Sequence, residues 1–108
     1  MQTSEGTEFA ISVQSDWACA WIRPDGALNA LTAPVLLQAL DEALERGVRK
    51  VHVWLNAVPY MDVAAIAMLA RADERARSRR SKLVLHAPLP GVRQLLQHTA
   101  GSETLIVK

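Results

Sequence analysis

One cysteine, Cys19, stands among the 108 residues, so no intrachain disulfide can form. The chain needs no oxidising compartment and must hold its fold by packing. Aromatic residues are also few: three Trp, one Tyr and one Phe. The core therefore has to be aliphatic, and with 50% of residues hydrophobic there is enough for one domain of the commonest size. Neither sign of charge is in excess. Twelve Lys and Arg face eleven Asp and Glu, a formal net charge of +1, which exerts no broad pull on nucleic acid or an anionic membrane. No apolar run approaches a membrane span, and MQTSEGTEF lacks the basic-then-apolar pattern of a signal peptide. The expectation is a cytoplasmic protein with no nucleic-acid partner and no direct membrane insertion.

The signatures of catalysis are missing too. There is no GxGxxG, GxxxxGK[ST] or GxSxG. His52, His86 and His98 have no metal-ligand spacing with one another or with Cys19, so neither metal nor cofactor is expected. The arginines Arg71, Arg75, Arg77, Arg79 and Arg80 are interrupted by Asp73 and Glu74 at helical spacing. That reads as a solvated helix face rather than a phosphate-binding strip. A binding module fits better than an enzyme.

What is present is alternation. Residues 1–8 are polar and are expected to form a flexible leader to one domain over 9–108. Phe9, Ile11 and Val13 alternate with Ala10, Ser12 and Gln14, a strand pattern. Trp17 to Ile22 reads as a second strand, joined through Ser15-Asp16, with Trp17, Cys19 and Trp21 on one side. Arg23-Pro24-Asp25-Gly26 reads as a turn. Thr32 is a candidate helix cap with Pro34 in the first turn. Leu36, Leu37, Leu40, Ala43 and Leu44 form the helix's apolar stripe, and Gly47 its stop. Val51, Val53 and Leu55 form a third strand whose His52 and Trp54 meet the other face of the sheet.

A second helix opens at Asp62 and carries Ile66, Leu69, Ala70 and Ala76 inward. Lys82 to His86 is a fourth strand. Pro88 to Gly91 leads into a third helix with Val92, Leu95, Leu96 and Ala100, Gly101 stops it, and Leu105 to Val107 is a short last strand. The order predicts an α/β fold: a single mixed, mostly parallel sheet of four to five strands, an N-terminal antiparallel hairpin, and three to four flanking helices. The joint from Tyr60 to Ile66 is the candidate site, because a helix N-terminus at the edge of such a sheet projects unpaired N–H groups. A purely structural cap is the alternative role for Asp62.

Three stretches, taken in order, resemble the STAS domain family, named from sulphate transporters and anti-sigma factor antagonists. Gly26-Ala27-Leu28-Asn29 with Thr32-Ala33-Pro34 resembles the family's GxLDxxTAP, with Asn29 where Asp is usual. Val51 to Asp62 resembles VVVDLSGVPFMD, with Trp54 where the strand usually ends in Asp. Lys82 to Pro88 with Val92 and Leu95 resembles the fourth strand and last helix. The resemblance implies an anti-sigma factor antagonist: a protein-binding regulatory module in partner switching of a bacterial sigma factor. Its implied partner is a kinase-like anti-sigma factor, and a homodimer is left open.

In antagonists of the family D-S-[ST]-G-L follows the third strand, and the second of those hydroxyl residues is phosphorylated. Here the run is Asp62-Val63-Ala64-Ala65-Ile66, so Ala64 occupies the phospho-acceptor position without a hydroxyl. The implied partner-binding residues are Asp62, Val63, Ala64, Ala65 and Met68, with Asn29 in the neighbouring loop. The alternative the family implies is a cytoplasmic accessory subunit of an ABC-type lipid transporter. Nucleotide binding, proposed for some members, is disfavoured by the missing phosphate loop and the apolar joint.

Overall fold

The computed structural model describes residues 9–99, 101 and 104–108; the leader expected over 1–8, and Ala100 of the third helix, lie outside these. An antiparallel hairpin, β1 (Ala10–Ser15) and β2 (Cys19–Asp25), is followed by α1 (Ala33–Glu45), β3 (Lys50–Trp54), α2 (Val63–Ser78), β4 (Lys82–His86), α3 (Pro90–His98) and β5 (Ile106–Val107). The strands lie side by side in sequence order, and only β1–β2 is antiparallel. The fold class read from the sequence is the one observed, with five strands and three helices.

Right-handed crossovers that always step to the next strand position place every helix on the same side of the sheet. One apolar cluster results. Ile22, Val51, Val53, Leu83 and Leu85 from the strands meet Leu36 and Leu40 of α1, Ile66 and Leu69 of α2, and Val92 and Leu96 of α3. Burying one such side chain fully is worth about 1.5–3 kcal/mol. Ala65, Ala72 and Ala76 of α2 are buried in the same cluster, and their small size lets the helix lie close to the sheet. No helix among the described residues is long and apolar enough to cross a membrane.

Two boundaries of the hairpin differ from the sequence reading. β2 begins at Cys19 rather than Trp17, because Asp16 Oδ1 accepts from the N–H groups of Ala18 and Cys19, both at 2.8 Å. This side-chain turn leaves Trp17 outside the ladder. β2 then runs on through Arg23-Pro24-Asp25, the expected turn. Pro24 has no N–H to give, but the ladder to β3 has already ended at Ile22. The chain turns at Gly26 instead, where φ is 128°.

The end of α2 also departs from expectation. Ser81 N–H donates to Ala76 O at 2.8 Å and Arg80 N–H to Arg77 O at 3.0 Å, the two bonds of a Schellman motif. The left-handed position of that motif is usually glycine, but here it is Arg80, with φ 60°. A side chain there costs roughly 1–2 kcal/mol. Asp73, expected on a solvated face, is buried, with Arg77 Nη2 2.6 Å from its Oδ2.

Among the described residues no helix covers the opposite face of the sheet. It carries a row of rings instead. Trp21 stacks on His52 with centroids 6.0 Å apart, His52 Nδ1 lies 2.7 Å from His86 Nε2, and Trp54 stacks on His86 at 4.4 Å. Val84 is buried on this side, outside the main cluster. Burial is the largest influence on both imidazoles and holds them below the ordinary histidine pKa. The charges of His86 and Lys50 add to this at His52, and those of Lys108 and Lys50 at His86.

A histidine whose pKa is lowered by folding stabilises the fold above its unfolded pKa of about 6.5, and that contribution is lost as the pH falls through the lowered value. Thermal melts should therefore show a flat Tm from about pH 8 to 7 and a decline below about pH 6.5. A double variant, His52→Gln with His86→Gln, should lose most of that decline; an unchanged slope would show that the pair is not its source.

Candidate functional site

The C-terminal ends of β2 and β3 carry two loops, residues 26–32 and 55–62, that are tied together by backbone hydrogen bonds. Gly26 N–H donates to Ala57 O at 3.0 Å, Leu28 N–H to Tyr60 O at 2.9 Å, and Asp62 N–H to Leu28 O at 3.1 Å. Leu28 and Met61 form an isolated parallel bridge, and both side chains are buried in the core. The loops thus continue the sheet for one more rung and deliver the chain to α2 at a set position.

Asp62 behaves as the sequence suggests. Its backbone is extended, and its Oδ1 accepts from Ala65 N–H at 2.9 Å, capping α2. Thr32 does not cap α1 with its side chain. Its hydroxyl is already used in the loop, donating to Ala27 O at 2.7 Å and accepting from Asn29 N–H at 3.0 Å. Asn29 takes over: its Oδ1 accepts from Leu31 N–H at 2.9 Å and Thr32 N–H at 3.1 Å, and its carbonyl accepts from Ala33 N–H at 2.8 Å. Asn29 is therefore turned partly toward its own loop.

The remaining expected residues separate by helix phase. Val63 is 60% exposed and Ala64 is exposed, whereas Ala65 is wholly buried. Ala65 lies on the inward stripe with Ile66 and Leu69, so its side chain is out of a partner's reach. This corrects its expected place in the binding face. Met68 is half-buried and packs against the core. Two further apolar residues are exposed nearby, Tyr60, which opens the expected joint, and Leu31, which was not expected. Leu31 is 86% exposed and Tyr60 58% exposed, on the two tied loops. Leu31 had a legible signal, since it fits no apolar stripe of α1. An apolar patch gathered at one end of a small domain is the mark of an interaction site.

The chemistry available here is limited. The Asp62 carboxylate is held as a cap, its neighbours are aliphatic, and position 64 offers only a methyl group. Among the described residues no cluster of three His, Cys, Asp or Glu could hold a metal ion. The arrangement is suited to burying apolar surface against a partner. Asp62→Ala should lower stability by about 1 kcal/mol through loss of the cap, while Val63→Ser at the exposed neighbouring position should change it by less than about 0.5 kcal/mol. Urea unfolding of both variants checks this; equal midpoints would show that the cap contributes nothing.

A family model described as "Mlab, STAS domain" matches residues 11–107. Among solved structures, the chain is similar to an anti-sigma factor antagonist from Mycobacterium paratuberculosis, with TM-score 0.81 and 19% identity over 97% of this chain and 89% of that one. It is similar to the anti-sigma factor antagonist SpoIIAA in its unphosphorylated form, with TM-score 0.71 and 15% identity over 92% and 87% of the two chains. The Bacillus cell fate determinant SpoIIAA in the phosphorylated form gives TM-score 0.69 and 15% identity over 92% and 91%. At such identities the likeness is one of fold. No curated protein matches the sequence significantly.

Proposed function

The chain belongs to the STAS domain family, and from that premise we propose that it is a cytoplasmic protein-binding module, not an enzyme, acting as an anti-sigma factor antagonist whose binding phosphorylation cannot switch off. The observation that carries this reading is the exposed apolar end of α2, where the family resemblance puts Ala64 in the phospho-acceptor position. A phosphate at that position would bring up to about two negative charges beside Asp62 and oppose docking by repulsion and desolvation. With only a methyl group there, the face stays apolar and competent to bind. It comprises Val63, Ala64, Leu31 and Tyr60, with Asp62 and Asn29 beside them and Met68 at its margin. The partner is a kinase-like anti-sigma factor.

The same alanine favours a second reading, a permanent accessory subunit of an ABC-type lipid transporter, because a constitutive subunit needs no switch. Calorimetry of the purified chain against the kinase-like anti-sigma factor and against the transporter ATPase of the same genome separates the two. Val63→Asp is the variant of choice, since Val63 is exposed whereas Met68 packs against the core. It should weaken binding by about tenfold to a hundredfold, or about 1.4–2.8 kcal/mol, without lowering Tm. The antagonist reading expects the kinase to bind equally well with and without ATP. Binding to the ATPase alone supports the accessory subunit, and binding to neither removes both readings.

A further inference from the structure

At the opposite end of α2, about 20 Å along the helix from Asp62, a cavity of about 620 Å³ opens between the helix, the start of β4 and β5. Among the described residues three cations line it, Arg77, Arg80 and Lys82, against one carboxylate, Asp73, which Arg77 already neutralises at 2.6 Å. Leu83 and Ile106 give it an apolar wall. Its size falls within the range of small-molecule sites.

Two features of this cavity are unfavourable to the folded chain. Ser81, which lines it, is 3% exposed, and its Oγ is buried with no hydrogen-bond partner among the described residues. Native proteins rarely keep such a group without a reason. Arg80 holds the left-handed position at the end of α2, where glycine would be unstrained. Strain of this kind gathers at ligand clamps. The two residues are consecutive, and both line the cavity. Near the helix end the carbonyls of Ala76 and Arg77 already accept from the N–H groups of Arg79, Arg80 and Ser81.

We propose that this cavity binds a small ligand carrying a phosphoryl group on an apolar substituent. The guanidinium groups of Arg77 and Arg80 and the ammonium of Lys82 supply charge-assisted donors. Three phosphoryl oxygens accept more of these donors than one carboxylate would. The substituent lies on Leu83 and Ile106. The site is separate from the partner face at the other end of α2 and does not depend on that reading.

The test is calorimetry with phenyl phosphate as probe, inorganic phosphate and phenol as its two halves, and vesicles of phosphatidylglycerol against phosphatidylcholine to identify a lipid source. Phenyl phosphate should bind at least about tenfold more tightly than either half. Arg80→Gly and Lys82→Gln should each weaken binding at least about tenfold, and Arg80→Gly should also raise Tm, because it relieves the left-handed strain. Binding of phosphatidylglycerol vesicles in place of phenyl phosphate, with the same sensitivity to both variants, assigns the phosphoryl group to a lipid. No binding of either probe at millimolar concentration overturns the proposal. So does binding that both variants retain, or a lower Tm in Arg80→Gly.

Discussion

The architecture depends on the handedness of one connection made three times. Each parallel crossover steps to the adjacent position in the sheet, and such connections are right-handed as a rule. Repetition forces α1, α2 and α3 onto one side, so the sheet has a dry face and a wet one. The dry face is filled by aliphatic residues and the small alanines of α2. The wet face receives what that core does not take up, which is why Trp21 and Trp54 stack on histidines there rather than on leucines.

The same constraint places the proposed binding end. Parallel strands finish together, so the loops after β2 and β3 leave the sheet side by side and can pair through Leu28 and Met61. Asp62 is held from two directions, its N–H by Leu28 O and its carboxylate by Ala65 N–H. The apolar side chains of Leu31, Tyr60 and Val63 therefore project from backbone that is already ordered. Little ordering entropy remains to be lost when a partner arrives. Truncating Met61 would damage core and loop together, because one side chain serves both.

The elements were legible in the sequence where local pattern and tertiary environment agree. Lys82 to His86 is a short apolar run and is a strand; Gly47 follows an amphipathic stripe and stops it with φ 83°. The rest turned on facts that single-residue propensity does not carry. Trp17 looked like a strand residue until Asp16 turned the chain beneath it. Pro24 looked like a breaker, yet it lies beyond the last rung that would need its N–H. Thr32 and Asn29 exchanged roles because a hydroxyl can serve a loop or a helix but not both. Of the candidate site, Asp62, Val63 and Ala64 were legible from the joint, whereas the burial of Ala65 depended on helix phase. The His52–His86 pair depended on strand register, 34 residues apart in the chain. Arg80 and Ser81 were hidden because a left-handed helix end gives no signal when glycine is absent.

The strands stand in the sheet in the order in which they occur in the chain. No strand has to be inserted between two others. The hairpin can form first, and each later helix and strand adds to an edge already in place. A nascent chain leaving the ribosome therefore meets its neighbours in the order they are made, and the edge opposite β1 advances with synthesis until the two-residue strand at Ile106–Val107 ends it. So short a strand offers little for another chain to pair with. The topology that puts α1, α2 and α3 on one face of the sheet also lets the five strands assemble in the order in which they are made.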